Sequence, residues 1–581
     1  MRNGSAKQFF WFFFLSILLT ISARAGDKEK KKYEISEMPQ ALYLANPDSK
    51  DATLEFSIVA CPALAPKSNT AYGYLETLTS AGERRSGSQD LRCAVESVRK
   101  VLAGFGYQVT VQSYRFPYYQ VEDSLYLIQE KDTGKIYPSF PLMYSPETEP
   151  MVSGKVKRPA NFEKGDLVLV QGNMLSRKSL AQQAKDWQKQ GAIGLVLDPE
   201  MFPFNPEGLP FPRSIHSTSY HYGALPGIIV QDAKKLIGKE VTLKSQCGIY
   251  AGRGYNVIAQ TPGEFENYIL IGGHLDSWFQ GALDDGSGVA MMMRIAELLK
   301  DEKPGKTGFI FAAFDGEELG LFGSGYFYEK FGAEKIKAML NLDMVSVKNN
   351  YFYKDPAQAG IMPKVISVSP ELKDLTRATF SRIKVAKLYT GLQWWRSFYG
   401  SLPTDYEWFY AAGVPGVFIY TPDKYYHTVK DDLTWMDADD LESVSQAGAQ
   451  LVLKMAGMDI PRPKDPLEME FFMLRQDDGS LAFDLNLKKG DQNHLRAKPL
   501  VYCYYERGFE KKITLKRGQG GKYRGSFAPL YRGEYQFLAV AEVGEESRKQ
   551  IKSMTIEDPV KEEKKESEKD SQKGGNEKWK K

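Results

Sequence analysis

The feature that most restricts the fold is an alternation of strand-like and helix-like segments between Tyr255 and Gly457. Short runs that are apolar throughout recur in this region, and helical stretches separate them, of which Gly288–Leu299 is the clearest. The runs are NYILIGG, GFIFAAF, AMLNLDMV and VPGVFIYT. Strands that are apolar on both faces are typical of a sheet covered by helices on both sides. The sequence therefore predicts an α/β fold with a mostly parallel mixed sheet flanked by helices.

The residues before this region are expected to complete the same domain. Helical spacing of apolar residues predicts one helix from Ala71 and another from Gln89 to Phe105. Residues 123–247 differ, because short β-rich runs there surround a single helix-like stretch. We interpret them as a small α/β insertion that divides the main domain into residues 61–122 and 248–460.

The C-terminal part of the chain has a third pattern. After Pro461-Arg462-Pro463, runs of alternating polarity are separated by glycine turns, which predicts a β-sandwich over residues 465–555. Residues 556–581 are mostly Lys, Asp and Glu. Such a segment cannot bury enough apolar surface to offset its ordering entropy, so we expect a disordered tail.

The N-terminus has the pattern of an export signal. Basic residues precede an apolar run from Phe9 to Ile21, and small residues up to Ala25 follow it. The run is shorter than the roughly 20 residues that span a bilayer. Residues 1–25 are therefore predicted to be a cleaved signal peptide, with residues 26–60 as a linker. An uncleaved anchor is the alternative, but cleavage would leave a periplasmic or extracellular protein without a membrane span.

Four cysteines are spread widely along the chain, at Cys61, Cys93, Cys247 and Cys503. They form no C-x-x-C pair, which argues against a structural zinc cluster. Export permits disulfides, so one or two bridges or buried thiols are all open, and sequence cannot choose among three pairings.

The charge balance excludes one class of partner. Lys and Arg number 76 against 73 Asp and Glu, a net charge of +3, which gives no electrostatic basis for binding nucleic acid. Histidine is scarce, with five in the chain. Any histidine ligand must come from His216, His221, His274, His427 or His494.

Histidine and carboxylates follow every predicted strand of the main sheet. They are His274, Asp276, Asp284, Asp285, Glu317, Glu318, Asp343 and His427. Ligands bind beyond the carboxyl ends of parallel strands, so these side chains are expected to meet. So many acids at one site require cations, and mixed nitrogen and oxygen ligands suit zinc. One zinc needs fewer ligands, so we predict a two-metal site with a bridging carboxylate.

Five motifs in this order resemble those of the co-catalytic dizinc exopeptidases: HLDS, DDGSG, FDGEELGLFGS, NLDMV, and GVPGVFIY followed by YHT. That family includes secreted bacterial aminopeptidases, glutamate carboxypeptidase II and, more distantly, glutaminyl cyclase. The resemblance covers Ala71 to Tyr114 and Tyr255 to Gly457. The insertion between these two parts resembles a protease-associated domain.

The resemblance implies a role for each of these residues. His274 and Asp343 would bind one zinc, Glu318 and His427 the other, with Asp284 as the bridge. Asp284 matches rather than Asp285 because it stands three residues before Ser287 of the S-G pair.

The same resemblance implies the residues that act on the substrate. Glu317 would be the general base, and the Asp276 carboxylate would orient His274. Tyr426 would stabilise an oxyanion, although the neighbouring Tyr425 leaves that choice open.

The implied function is that of a secreted zinc aminopeptidase acting on peptides. A dipeptidase or carboxypeptidase, a glutaminyl cyclase and a non-enzymatic binding protein are the alternatives. The segment GVFIYTPD lacks the arginines that glutamate carboxypeptidase II recruits there, which disfavours acidic C-terminal substrates. The aromatic stretches Leu392–Tyr399 and Trp408–Tyr410 predict either a pocket for large apolar side chains or aromatic core.

Overall fold

The computed structural model describes residue 61 and most of the chain from residue 66 to residue 557. Within that stretch it leaves out residues 122, 144, 149, 172–179, 200–208, 212, 215–224, 303–304, 391–403, 463–466, 491, 493–494, 506–507, 519–521, 530–531 and 544–545. The predicted signal peptide, the linker up to residue 60 and the tail beyond residue 557 lie outside the described residues.

The helices and strands follow the chain in this order. The helices are α1 (Ala71–Thr79), α2 (Gln89–Gly104), α3 (Leu180–Lys189), α4 (Gly288–Leu299), α5 (Phe322–Phe331), α6 (Lys373–Thr379), α7 (Glu407–Ala411) and α8 (Ala438–Gly457). The strands of the main sheet are β1 (Gln108–Gln120), β10 (Gly248–Gln260), β11 (Asn267–His274), β12 (Thr307–Phe314), β13 (Ile336–Leu342), β14 (Lys364–Val368), β15 (Val385–Thr390) and β16 (Gly416–Tyr420).

Two further groups of strands lie outside the main sheet. The first group is β2 (Tyr126–Glu130), β3 (Ser139–Met143), β4 (Val152–Lys157), β5 (Leu167–Val170), β6 (Gly194–Leu197), β7 (Arg213–Ser214), β8 (Gly227–Val230) and β9 (Glu240–Ser245). The C-terminal group is β17 (Leu467–Arg475), β18 (Leu481–Lys489), β19 (Leu500–Tyr505), β20 (Gly508–Thr514), β21 (Lys516–Arg517), β22 (Tyr523–Phe527), β23 (Gly533–Val543) and β24 (Glu546–Ile556).

The main sheet is mixed, as the sequence predicts. Its order is β1-β10-β12-β11-β13-β16-β14-β15. The four central strands β12, β11, β13 and β16 are parallel, whereas β10 is antiparallel to β12 and β14 is antiparallel to β16. The parallel centre brings the carboxyl ends of four strands to one edge of the sheet.

Helices cover both faces of this sheet because its strands are apolar on both sides. Ile269 and Ile271 belong to a core that includes residues of α1, α2, α4 and α8. The alternating residues Tyr268 and Leu270 belong to a second core, with residues of α5 and α7. This split follows from the period of two along a strand.

Side-chain caps start several of the helices. The hydroxyl of Ser88 accepts the N–H of Leu91 before α2, and the carboxylate of Asp437 accepts the N–H of Asp440 before α8. The capped helix α2 begins at Gln89, where the apolar spacing predicts it.

Strands β2 to β9 form a separate eight-stranded sheet between two paired strands of the main sheet. The chain leaves at the end of β1 and returns at the start of β10, where Gln120 pairs with Gly248. This sheet contacts the main domain through Phe140, whose ring centroid lies 5.8 Å from that of Trp278 and 5.5 Å from that of Phe279.

The C-terminal strands form two four-stranded sheets that share one core, to which Phe483 and Phe537 contribute from opposite sheets. Leu538 packs instead with residues of the main domain. Ile556 is fully buried as the last residue of β24. The boundary of the predicted tail at residue 556 was therefore placed one residue early.

One of the open cysteine pairings is formed. Cys61 and Cys93 are joined by a disulfide, and Cys247 and Cys503 are buried thiols. The bridge ties the chain before α1 to the first half of α2.

Among the residues that the structure describes, no helix is both long enough and apolar enough to cross a membrane.

Candidate metal centre

The predicted ligands lie at the carboxyl ends of the four parallel strands. His274 is the last residue of β11, and Asp343 directly follows β13. Glu317 and Glu318 lie in the loop after β12, and His427 lies in the loop after β16. Strands that run parallel end at the same edge, so these loops converge.

The distances define two groups of candidate ligands that share one carboxylate. Nε2 of His274 lies 3.0 Å from Oδ1 of Asp284, and Nε2 of His427 lies 3.0 Å from Oδ2 of the same side chain. Nε2 of His427 also lies 2.9 Å from Oε2 of Glu318. In the groups His274-Asp284-Asp343 and Asp284-Glu318-His427, the candidate ligand atoms all lie within 4.8 Å of one another.

Several of these atoms lack hydrogen bonds although they are buried. Oδ2 of Asp284, Oε1 of Glu318 and Nε2 of His427 have no hydrogen-bond partner. Buried polar atoms are otherwise almost always paired, and leaving them unpaired destabilises the fold. Cations held between the two histidines and the carboxylates would pair all of them, so the residues present fit a metal site with nitrogen and oxygen ligands.

The neighbouring Asp285 makes different contacts from Asp284. Its carboxylate accepts the backbone N–H groups of His274 at 3.2 Å, Gly288 at 2.8 Å and Met344 at 3.1 Å. The peptide bond between Asp284 and Asp285 is cis. Asp285 therefore holds backbone from three segments together, whereas Asp284 faces the histidines.

Burial and contacts between the side chains shift the pKa values of the residues in this cluster. Burial would raise the pKa of Asp284, but contacts with His274 and His427 hold it below its usual value. Burial would lower the pKa of His427, but Glu318 and Asp284 raise it to about 10. Burial and nearby carboxylates, including Glu318, raise the pKa of Glu317 well above its usual value, against the influence of His274.

Asp276 contacts the predicted base and ligand through their backbone. Its carboxylate accepts the N–H of Glu317 at 3.1 Å and that of Glu318 at 3.2 Å, and the hydroxyl of Ser86 at 3.2 Å. Nδ1 of His274 donates to the backbone carbonyl of Asp276 at 2.9 Å and lies 3.7 Å from its carboxylate. The closer contact to the imidazole is thus the carbonyl rather than the carboxylate that we expected.

The two adjacent tyrosines face different surroundings. Tyr425 is buried, and its ring centroid lies 5.7 Å from that of Trp435. Tyr426 is 46% exposed, and its ring stacks on the His427 imidazole at 3.7 Å between centroids. Tyr426 thus contacts a candidate ligand at the rim of the site.

The segment that contains the candidate site matches a known protein family. Residues 256–452 match the model described as Peptidase family M28, a segment that contains every predicted ligand. Over these residues, the chain is similar to peptidase family M28.

Curated proteins similar to this chain include two kinds of exopeptidase. An aminopeptidase of Pseudomonas aeruginosa strain UCBPP-PA14 is 27% identical over 308 residues, which cover 47% of this chain and 56% of that protein. A probable glutamate carboxypeptidase of Arabidopsis thaliana is 30% identical over 241 residues, which cover 38% of this chain and 32% of that protein. The match thus spans little more than half of the first relative and about a third of the second.

Solved structures share the fold of about two thirds of this chain. A peptidase M28 precursor from Shewanella amazonensis SB2B superposes with a TM-score of 0.52 at 20% identity, covering 68% of this chain and 96% of that one. A zinc aminopeptidase from Bacillus subtilis gives a TM-score of 0.51 at 18% identity with the same coverage. At these identities the likeness shows the fold.

Two buried charges beside the candidate site were missed by sequence reasoning. Arg84 is fully buried under the loop that carries Asp284, and burial lowers its pKa to about 10 against the opposing effect of Asp431. Asp431 lies just beyond His427 and contacts the same loop. Neither residue belongs to a spaced motif, so only the folded structure brings them to attention.

The other residues considered in the sequence analysis lie either in the hydrophobic core or outside the described residues. His216, His221 and His494 and the stretch Leu392–Tyr399 lie outside the described residues. Trp408 and Phe409 are buried, and Nε1 of Trp408 donates to the carbonyl of Leu321 at 3.3 Å. For these two residues the pocket hypothesis was wrong, because they pack in the second core of the sheet.

Proposed function

We propose that this chain is an exported exopeptidase that binds two zinc ions and removes N-terminal residues from peptides. The observation that carries the proposal is that Asp284 lies between two imidazoles, at 3.0 Å from each. One shared carboxylate with a histidine on either side is the arrangement that a pair of metal ions requires.

The residues divide into two ligand sets under this proposal. His274 and Asp343 would hold one ion, Glu318 and His427 would hold the other, and Asp284 would be shared between them. Two zinc ions bound there supply Lewis-acid chemistry, which acidifies water and polarises a carbonyl.

Glu317 acts as the general base. It lies half-buried beside the ligands, and the carboxylate of Asp276 accepts its backbone N–H. Its carboxylate takes a proton from the attacking water and later delivers that proton to the leaving amine.

Tyr426 and Asp276 have different supporting roles. The exposed Tyr426 ring rests on His427, which leaves it positioned to donate from its hydroxyl to the carbonyl oxygen as negative charge develops there. Asp276 holds the backbone of Glu317 and Glu318, so that base and ligand keep their relative positions.

Removal of N-terminal residues is favoured over the alternatives. The Pseudomonas relative is named an aminopeptidase, and the zinc aminopeptidase from Bacillus subtilis shares the fold. The Arabidopsis relative is named a glutamate carboxypeptidase, but the segment after β16 in this chain has a buried Asp423 and no arginine. That segment disfavours an acidic C-terminal substrate. A glutaminyl cyclase needs one zinc, whereas the side chains here form two candidate ligand groups, which supports the peptidase.

We extend the proposal to the location and to the accessory sheets. The predicted signal peptide and the Cys61–Cys93 disulfide are both typical of an exported protein. Residues 123–247 are proposed to be a protease-associated domain, and residues 465–555 a β-sandwich.

The test is a panel of aminoacyl and N-acyl-peptide substrates, assayed with and without chelator on the parent protein and on Glu317→Ala. We expect aminoacyl substrates alone to be hydrolysed, and the chelator to abolish turnover. Glu317→Ala should keep two zinc ions by elemental analysis and lose roughly 10²- to 10⁴-fold in kcat.

Each part of the proposal has its own contrary result. Hydrolysis of N-acyl peptides alone would identify a carboxypeptidase. Full activity with a single zinc equivalent would support the cyclase, and unchanged turnover in Glu317→Ala would refute the assigned base.

A further inference from the structure

One loop sets the position of the shared carboxylate. His274 ends β11 and Asp284 follows after nine intervening residues, 275–283, in a segment without a regular helix or strand up to Ala282. Asp284 itself has non-helical backbone angles, φ −106° and ψ 98°. Contacts from outside the loop must therefore determine where its carboxylate lies.

Arg84 binds this loop through its backbone carbonyl groups. Nε of Arg84 donates to the carbonyl of Leu275 at 2.9 Å, Nη1 to that of Gln280 at 2.8 Å and Nη2 to that of Gly281 at 2.9 Å. In return, the carbonyl of Arg84 accepts the N–H of Ser277 at 3.0 Å. A single buried guanidinium thus fixes both ends of the loop.

Asp431 binds the next part of the loop through its backbone amides. Its carboxylate accepts the N–H of Leu283 at 2.7 Å and that of Asp284 at 3.0 Å. Its own carbonyl accepts the N–H of Ala282 at 3.2 Å. Because Asp431 belongs to the loop that carries His427, it joins the two halves of the site directly.

The two side chains bind complementary backbone groups of the loop. Arg84 donates to carbonyl oxygens, and the Asp431 carboxylate accepts N–H groups with both of its oxygens. Both side chains are buried, Arg84 at 0% and Asp431 at 4% exposure. Hydrogen bonds from a guanidinium are stronger than those from a neutral donor, so Arg84 contributes strongly to the position of the loop.

We propose that Arg84 and Asp431 are positioning residues that hold Asp284 between the two histidines and thereby set the affinity of the site for both metal ions. This inference rests on the proposed two-zinc function. Neither residue is a ligand: each acts through the backbone of the loop. Because Asp284 contacts both histidines, displacing it should weaken both ions together.

The test compares zinc affinity and zinc-dependent stability in four variants. Arg84→Met removes the donors, and Arg84→Lys keeps the charge but loses the planar guanidinium that reaches three carbonyls. Asp431→Asn keeps the size but replaces one of the two accepting oxygens with an NH2 group. Arg294→Met is the matched control, because Arg294 forms comparable bonds with Glu442 at 2.9 Å and Glu297 at 2.6 Å in the same domain. Zinc Kd is measured against a competing chelator, and Tm with and without zinc.

We expect a zinc Kd about 10- to 100-fold weaker in the Arg84 and Asp431 variants, the usual cost of losing a group that orients a metal ligand. The rise in Tm on adding zinc should shrink in these variants. In Arg294→Met the Tm should fall equally with and without zinc, and the Kd should stay unchanged. If Arg84→Met does not fold, Arg84→Lys and Asp431→Asn decide the question.

Parental Kd and an unchanged zinc-induced rise in Tm in all folded Arg84 and Asp431 variants would overturn the inference. The parent protein separates this outcome from failure of the proposed function. A parent that binds no zinc refutes the two-zinc proposal itself, whereas a parent that binds two zinc ions leaves that proposal standing whatever the variants show.

Discussion

Nε2 of His427 lies 3.0 Å from Oδ2 of Asp284, and neither atom makes a hydrogen bond. Both are buried at the edge of the sheet, beside Glu318 and opposite His274. A cation in contact with both side chains would pair these two atoms. The proposed metal site accounts for two of the five histidines in the chain.

Removal of metal should destabilise the folded protein. Without cations the two candidate triads leave buried carboxylates facing each other, and zinc at about 100 times its Kd should restore roughly 2.7 kcal/mol. Thermal unfolding after chelation and after adding zinc back measures this change. Asp284→Asn is the control and should show a much smaller response, and an equal response in that variant would contradict the shared role of Asp284.

Gly273→Ala should disturb the metal site, because the added Cβ would overlap with neighbouring atoms. A Cβ at Gly273 would lie 2.6 Å from Oδ2 of Asp285, the atom that accepts the N–H of His274, and 2.6 Å from the carbonyl oxygen of Leu342. We expect a loss of about 1–3 kcal/mol in the free energy of unfolding together with reduced zinc content.

Gly104→Ala is the matched control for that substitution. A Cβ there meets nothing within 4 Å, at the end of α2. Alanine should be neutral or stabilising by up to roughly 1 kcal/mol, because it is the better helix former. Urea unfolding and elemental analysis of both variants check the pair, and a Gly273→Ala protein with parental stability and zinc content would refute the prediction.

Asp440→Asn should destabilise the protein most strongly near neutral pH. The Lys364 side chain is 0% exposed and pairs with Asp440, to which Ser346 also donates. Burial lowers the pKa of Lys364 below its usual value. Removing the partner leaves a buried unpaired ammonium, at a cost of about 3–5 kcal/mol.

The loss in Asp440→Asn should shrink as the pH rises. The folded variant binds fewer protons at Lys364 than the unfolded chain does, so its stability increases with pH through that window. Urea unfolding at pH about 7 and about 9.5 measures the trend. The exposed pair Lys131–Glu240, at 2.7 Å, is the control, because Glu240→Gln should have no measurable effect at either pH. A pH-independent loss in Asp440→Asn would contradict the assignment.

Reduction of the Cys61–Cys93 disulfide should lower the stability of the native protein. The bridge closes a loop with a sequence separation of 32, for which chain entropy gives about 3–4 kcal/mol. Unfolding with and without reductant measures the loss, and Cys93→Ala should not respond to reductant. Alkylation of the denatured, unreduced protein should label Cys247 and Cys503 alone; labelling of all four cysteines would show that the bridge is absent.

The sequence predicted the central sheet and the meeting of its motifs because both depend on local patterns. Apolar runs bounded by polar loops place β11 and β12 within a residue or two of their observed ends. The parallel order then determines which loops meet. The choice of Asp284 over Asp285 came from the family resemblance, and periodicity alone would not have separated two adjacent carboxylates.

The residues that the sequence did not reveal make single, long-range contacts. Arg84 reaches carbonyls about 190 residues further along the chain, and Asp431 reaches amides 147 and 148 residues back. No spacing rule links such residues, because each contact depends on the complete packing of the sheet. The contact between the carbonyl of Asp276 and His274 was missed for a related reason, since backbone groups carry no sequence signal.

The pairing of Gln120 with Gly248 has a consequence for how this chain is built. The 13 residues of β1 lie against β10 up to this last pair, so the entry and exit of the eight-stranded insertion are already neighbours. In topological terms the insertion is the elongated tip of a hairpin whose stem belongs to the main sheet. A short turn could replace the insertion without changing the path of any other strand. The insertion is therefore a replaceable part of the chain that lies beside the loop that begins at His274.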